Sequence, residues 1–364
     1  MEQLEPITDK LVTFDLGLGI KGSRTSYALT FVGSLFVTSF KFQHLISFLH
    51  PIMFARHLLA FAALLQTGTT LAHLAAWHDG MYCRNGTSGS DEANDYTVVK
   101  PLYQLPRNDW WLHGLDGCTK FPPAPGKFLE LPAGKEFTVE IASNRGKTSL
   151  SFNGRFASNW PDGNNYPEDY NVPSCITSPN LHAQNHSQAA GTAFAISYQS
   201  DIERVTPENL VVFSVKYHTP WKRVTTYSIP AALPACPEGG CHCAWAWIPN
   251  GCGQPNMYQQ AFRCKVTGAT STAPVAPGRP PVWCEDDASR CTQGAKQMLY
   301  WNQQDGNNIW VQGRDRAGAP KSPAYNSKCG FVDGAQNDIF STARGKERRC
   351  AARTKRASAA RRGL

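Results

Sequence analysis

The sequence predicts a mainly β fold, an antiparallel β-sandwich with long loops. Short apolar or alternating segments recur along the chain, and Gly, Pro, Asn and Asp bound them. No long segment has the 3.6-residue period of an amphipathic helix. Strands at such spacing are typical of a sandwich. The predicted strands are 135–143, 192–199, 209–218, 223–230, 243–249 and 257–268.

A signal-peptide pattern precedes the first of these strands. A short basic start after Met53 leads into the apolar run 58–65, and small and polar residues then extend to Ala72. We expect 53–72 to be removed as a signal peptide by cleavage after Ala72. The mature chain would then begin at His73 and contain 292 of the 364 residues.

The first 52 residues fit poorly with that pattern. Lys41 interrupts an apolar stretch there, and the runs on either side are shorter than the ~20 residues of a membrane-spanning helix. We interpret 1–52 as an upstream extension of the gene model or a disordered segment, with translation starting at Met53. The alternative is a signal anchor, which would leave His73 within the chain.

Four segments follow the predicted cleavage point. The sandwich itself should span 73–266, and 267–283 has the Pro, Ala, Ser and Thr content of a linker. The cysteine-containing extension 284–343 is too short for a core of its own, so we expect it to wrap the main domain. The tail 344–364 should be disordered, because it holds nine Lys or Arg residues and one Glu.

Composition indicates a secreted protein. All twelve cysteines come after residue 82, and sequons at Asn85 and Asn185 are candidate glycosylation sites. The net charge of +8 comes from the tail, since residues 73–343 hold 22 basic and 23 acidic residues. This balance argues against nucleic acid as a partner. We expect an extracellular monomer without membrane attachment after cleavage.

The cysteines favour disulfides over a metal site. The segment "CPEGGCHCAWAWIPNGC" contains no paired C-x₂-C spacing of a zinc site, and secretion favours oxidation. Twelve cysteines permit six bridges, although Cys350 lies in the tail. If Cys350 is free, one of the other eleven is also left over.

An N-terminal histidine is the strongest chemical signal. The α-amine and ring Nδ1 of His73 would chelate one metal ion, and an α-amine with an ordinary pKa of about 7.7–8.0 can lose its proton near neutral pH. One further imidazole would complete three nitrogen ligands, a set that suits copper. The alternative is a histidine left at the cleavage point by chance.

Two histidines are the leading candidates for the second imidazole. His182 lies in a loop just before the apolar strand 192–199, where a scaffold can hold a ligand. His186 lies within the sequon of Asn185 and should be exposed, so we favour His182. The remaining candidates have ordinary surface or structural explanations: His78, His113, His218 and His242.

At this point the sequence resembles a known family. The predicted N-terminal histidine is followed by "HAQN", "AAGTAFAISYQSD" and "NMYQQAFRC", the order found in lytic polysaccharide monooxygenases. The segments "VVKPLYQLPRNDWWLHG", "NGRFASNWPDG" and "YNSKCGFVDGAQNDIF" are similar to auxiliary activity family fourteen, the fungal lytic xylan oxidases. The resemblance runs from His73 to about Phe340.

The resemblance implies a fold, a cofactor and a reaction. The sandwich would be immunoglobulin-like or fibronectin-like, with one copper on a surface face. His73 would bind through its amine and Nδ1, His182 through a ring nitrogen, and Tyr258 would lie at the axial position. With O₂ or H₂O₂ and an external electron donor, the enzyme would cleave insoluble polysaccharide, xylan on cellulose. Asn256 stands where the cellulose-active family nine has a glutamine.

Other functions have weaker support. No "GxSxG" motif or phosphate loop occurs, and no pair of carboxylates can be assigned to glycoside hydrolysis. A non-catalytic copper-binding protein of the same fold and a polysaccharide-binding module remain as alternatives. Four tryptophans could pack against sugars or belong to the core: Trp77, Trp110, Trp111 and Trp160.

Overall fold

The computed structural model describes residues 73–173, 176, 179, 181–249, 254–315 and 318–341. The predicted signal peptide, the segment before it and the basic tail lie outside the described residues, as do Cys175, Cys252 and Cys350. No helix in the described part is long and apolar enough to cross a membrane.

Within the described ranges nine strands form two sheets, and the mainly β prediction is confirmed. A three-stranded sheet has the order β1-β3-β6, and a six-stranded sheet has the order β2-β8-β7-β4-β5-β9. The strands are β1 Ala75–Trp77, β2 Leu129–Pro132, β3 Glu136–Ala142, β4 Thr192–Ser197, β5 Val211–Lys216, β6 Val224–Ser228, β7 Cys241–Trp247, β8 Tyr258–Thr267 and β9 Gly334–Ala335.

All six predicted strands are present, with ends within two residues of the expected positions. The three strands that the sequence did not indicate, β1, β2 and β9, are two to four residues long. Strands that short carry too few side chains to display an alternating pattern. One of them also departs from the antiparallel rule, because β2 pairs with β8 in parallel.

Helical structure in the described ranges is confined to short turns. The α-helix α1 spans Arg107–Trp110. The 3₁₀ turns are Thr97–Val99, Trp111–Asp116, Cys118–Lys120, Arg145–Lys147, Phe152–Gly154, His186–Gln188, Ile202–Arg204, Ala288–Arg290 and Ser327–Cys329.

The six-stranded sheet is buried on both faces. Every residue of β4 and β7 is buried. Along β7 the large side chains, such as Trp245, belong to the apolar core that also contains β3 and β6, whereas Ala244 and Ala246 pack into a second apolar cluster with Met298 and Tyr300. Burial on both sides explains why β7 is a continuous apolar run rather than an alternating one.

The later part of the chain supplies that second cover. β9 pairs with β5, and Gln297 forms a β-bridge with Val211. The linker-like segment 267–283 packs along the C-terminal segment. The backbone amide of Ala276 donates a hydrogen bond to the carbonyl of Ile339, and Arg279 forms a β-bridge with Lys296.

Four disulfides join described cysteines: Cys83–Cys118, Cys236–Cys241, Cys243–Cys264 and Cys284–Cys291. The expectation of disulfides at Cys236, Cys241 and Cys243 is therefore confirmed. Among the described cysteines, Cys329 is free, and it is buried.

Candidate metal centre

Four aromatic side chains are linked by contacts at one end of the six-stranded sheet. Nδ1 of His73 lies 3.3 Å from the hydroxyl oxygen of Tyr258. The Tyr258 ring stacks on Trp247 with centroids 4.7 Å apart and an interplanar angle of 21°. His182 packs edge-on against the same tryptophan at 5.4 Å. These contacts connect the three residues predicted to bind copper, His73, His182 and Tyr258.

Strand register places Trp247 and Tyr258 next to each other. Trp247 is the last residue of β7 and lies opposite Tyr258, the first residue of β8. Thr192, the first residue of β4, pairs with Trp247 from the other side. The loop that carries His182 enters β4 at Thr192, so it reaches the sheet at the same end.

A buried glutamine holds the first strand close to β8. Gln260 accepts a hydrogen bond from the backbone amide of Ala76 at 3.3 Å and donates to the carbonyl of Val98 at 3.1 Å. Gln260 lies two residues beyond Tyr258 on the same strand. His73 therefore enters the fold beside Tyr258 because β1 is anchored there.

His182 has an unusual backbone. Its φ is +45°, the left-handed region that a residue with a Cβ adopts at a cost of about 1–3 kcal/mol. Neighbouring backbone hydrogen bonds hold the loop, since Ile176 donates to Ala183 and Val172 donates to Gln184. The side chain is 5% exposed, so the loop presents a largely buried imidazole to Trp247.

Burial favours the neutral phenol form of Tyr258. Its side chain is fully buried, and burial raises the pKa of the hydroxyl well above its ordinary value of 10.0, against a smaller lowering by the Asn256 side chain. Asn256 is itself buried, and its Oδ1 has no hydrogen-bond partner. A buried acceptor without a donor is costly, so this oxygen is suited to a protonated group brought by a ligand.

The ligands available at this site fit copper bound with the help of a main-chain amine, rather than a metal bound by side chains alone. No group of three or more His, Cys, Asp or Glu residues comes together within the described ranges. Two imidazoles and a neutral phenol need a further nitrogen, and the amine released by cleavage before His73 would supply it. A set of nitrogen ligands with a neutral hydroxyl beside it matches the ligand preference of copper.

The other histidines lie in ordinary surroundings. His186 is exposed and packs against Trp221 and His218. His242 is buried between the hydroxyl of Tyr82 and the carbonyl of Gln199. His113 is buried beside Asp116, and Nδ1 of His78 accepts from the amide of Gly80.

Three of the four candidate tryptophans cannot face a polymer. Trp77, Trp110 and Trp160 are at most 1% exposed, and Trp111 packs edge-on against Tyr300. The exposed tryptophan is Trp310, with 78% of its surface accessible. The sequence pattern did not single out Trp310 or Trp247, because neither lies next to another chemically distinctive residue in the chain.

The fold and the contacts define a β-sandwich with a histidine–tyrosine cluster at one end of its larger sheet. Comparison with known proteins extends this description. The family model "Lytic polysaccharide monooxygenase AA14" matches residues 53–359, so the chain belongs to that oxidoreductase family. The match extends beyond Phe340 into the basic tail.

Characterised relatives agree with the family assignment. The chain is 40% identical over 285 residues to the AA14 family lytic polysaccharide monooxygenase B of Pycnoporus cinnabarinus, covering 74% of this chain and 71% of the relative. It is 40% identical to the B protein of Trametes coccinea, of which it spans 63%. It is 37% identical to that of Talaromyces rugulosus, covering 74% of this chain and 93% of the relative.

Proposed function

We propose that the mature protein is a secreted, copper-dependent monooxygenase that cleaves plant cell-wall polysaccharide, with xylan on cellulose as the substrate. One observation carries the proposal. Nδ1 of His73 meets the hydroxyl of Tyr258, and Tyr258 and His182 both contact Trp247. Membership of the AA14 family supports it.

Each of the four linked residues would have a separate role. His73 would bind copper through its amine and Nδ1, and His182 through a ring nitrogen. Tyr258 would present a neutral hydroxyl to bound copper, because burial favours the protonated form. Trp247 contacts Tyr258 and His182 and so limits the movement of both rings.

Bound copper would supply the one-electron chemistry that activates O₂ or H₂O₂, with electrons from an external donor. The protein would orient the ligands and restrict water at the site. Asn256 would accept a hydrogen bond at Oδ1 from a protonated group beside Tyr258. A surface site would allow the monomeric enzyme to act on a polymer that cannot enter a pocket.

Cleavage after Ala72 is the processing step that this function requires. The family match begins at Met53, where the sequence predicts translation to start, and this supports a signal peptide over 53–72. N-terminal sequencing of the secreted protein should therefore begin at His73. A different first residue would remove the amine ligand and sink the proposal.

A one-residue extension tests the same ligand directly. Mature protein with one alanine placed before His73 should lose copper affinity and ascorbate oxidase activity, because the ligand amine becomes an amide. Its melting temperature without copper should match that of the unextended protein. Retained copper affinity would contradict the ligand assignment.

Product analysis separates the three candidate functions. Copper-loaded protein with ascorbate should release oxidised oligosaccharides from xylan-coated cellulose, as seen by mass spectrometry. Tight copper binding without oxidised products from xylan, cellulose or chitin would favour a copper-binding protein. Polymer binding that does not depend on copper, together with no oxidation, would favour a binding module.

A further inference from the structure

A groove lies beside two chain segments that adjoin residues of the candidate metal centre in sequence. It has a volume of about 480 Å³, and one wall is the segment Ser187–Ala190, which leads from His182 into β4. Across the groove, Ser322 donates a hydrogen bond to the carbonyl of Pro249, two residues after Trp247. Asn326 donates to the carbonyl of Ala190. The groove is therefore tied to the chain segments that follow His182 and Trp247.

The lining of this groove has one sign of charge. Lys321 and Lys328 line it together with aromatic and small polar side chains, and none of its lining residues is an Asp or a Glu. Two carboxylates contact residues that line the groove. Glu285 pairs with the two lysines, and Asp333 accepts from the backbone amide of Tyr217.

Both lysines are held in place before any ligand binds. Glu285 lies 2.9 Å from Nζ of Lys321 and 2.7 Å from Nζ of Lys328. The same ammonium groups lie 4.7 and 5.8 Å from the centre of the Trp283 ring. Two ammonium groups share one carboxylate, so one positive charge is left over. Side chains ordered in advance lose less entropy when they bind an anion.

The remaining lining suits a sugar. The rings of Tyr217 and His218 provide flat apolar surface, and Ser187, Gln188 and Asn326 provide polar groups.

We propose that this groove binds a uronic-acid unit of a polysaccharide chain whose neighbouring part lies at the candidate metal centre. The aromatic rings contact the sugar, and Lys321 and Lys328 bind its carboxylate. This assignment rests on the proposed function, and it narrows the substrate to xylans that carry acidic side groups. A neutral polymer would make no use of the excess charge.

Affinity electrophoresis tests the assignment. Mature copper-loaded protein, with its N-glycans removed and without reductant, is run through native gels that contain glucuronoxylan or neutral arabinoxylan. Glucuronoxylan should bind about three- to fivefold more tightly, the effect expected of two exposed ion pairs. The preference should shrink at high ionic strength.

Charge-matched variants locate the effect. Lys321→Gln with Lys328→Gln should bind the two polymers equally. Lys127→Gln with Lys265→Gln removes the same number of charges elsewhere and should keep the preference. Equal binding of both polymers by the unmodified protein, no binding of either, or a preference that survives in the Lys321/Lys328 variant would each overturn the assignment.

Copper titration of the same samples keeps the two proposals apart. Preference for the acidic polymer without copper uptake would leave the groove assignment standing and remove the proposed metal centre. Copper uptake and oxidised products without that preference would have the opposite meaning.

Discussion

At the scale of single residues, Tyr258 links the fold to the candidate chemistry. A tyrosine on an apolar strand is ordinarily a packing residue, and Tyr258 does pack, with its ring stacked on Trp247. Its hydroxyl is the exceptional part, since it meets His73 and Asn256 in a buried setting. Sequence alone could not separate these two contributions.

Replacing Tyr258 with phenylalanine separates them. The stack on Trp247 should remain. The Asn256 side chain loses the hydrogen bond that it makes to the Tyr258 hydroxyl, so the free energy of unfolding should fall by about 1 kcal/mol. Copper-loaded Tyr258→Phe should also show a changed Cu(II) EPR spectrum. Tyr227→Phe is the matched control, because Tyr227 is also buried and bonded to Thr192 and Trp245. The Tyr227→Phe variant should lose similar stability and keep the wild-type spectrum. A change in both spectra would contradict a role of the Tyr258 hydroxyl at the copper site.

Asp116 should make stability depend on pH. Burial alone would raise the pKa of its carboxyl, but hydrogen bonds from His113 and Lys100 outweigh burial and hold the pKa below its ordinary value of 3.8. A depressed pKa stabilises the fold above that value, and this contribution disappears as pH falls through the folded-state pKa.

Urea denaturation of the wild type and Asp116→Asn provides the measurement. The wild type should be more stable than the variant by a constant amount above about pH 5, and the difference should shrink below about pH 4. A difference that stays constant down to about pH 3 would show that the carboxylate charge contributes nothing.

At the scale of elements, β7 and β8 form the framework of the site. The two strands pair continuously, from Cys241 opposite Cys264 to Trp247 opposite Tyr258. The disulfide between Cys243 and Cys264 links them at the end away from the candidate ligands. One end of the pair is therefore covalently closed, and the other presents Trp247 and Tyr258. A rigid pair of strands holds such side chains more accurately than loops do.

Removing that disulfide should cost more than removing a peripheral one. Cys243→Ala with Cys264→Ala opens a link with a sequence separation of 21, for which chain entropy predicts a loss of about 3 kcal/mol. Cys284→Ala with Cys291→Ala opens a separation of 7 and should cost about 2 kcal/mol. Guanidinium denaturation gives both values, and a larger loss for the second pair would contradict the role assigned to β7 and β8.

At the scale of the whole molecule, residues after 283 complete the main sheet. Met298, Tyr300 and Tyr325 cover the face of β4 and β7 that would otherwise expose apolar surface, and β9 extends the sheet beyond β5. An apolar face covered within the chain has no need of a second copy.

Mature protein should accordingly be a monomer. Size-exclusion chromatography with light scattering should give the mass of one mature chain at all concentrations tested. A concentration-dependent rise to twice that mass would show that a further surface is shared between copies.

The sequence by itself determined the six longer strands, the preference for disulfides, the histidine at the predicted cleavage point and the family. Each depends on residues that are close together in the chain. Alternation and turn residues predict strands locally, and a family motif is a run of neighbouring side chains.

Only the tertiary structure decided which distant residues meet. His73 and Tyr258 lie 185 positions apart, and their contact depends on the anchoring of β1 and on the register of β7 with β8. Trp247, Asn256 and the lysine groove gained their significance in the same way. Sheet order and loop path decide which distant residues meet, and neither is encoded in a local pattern.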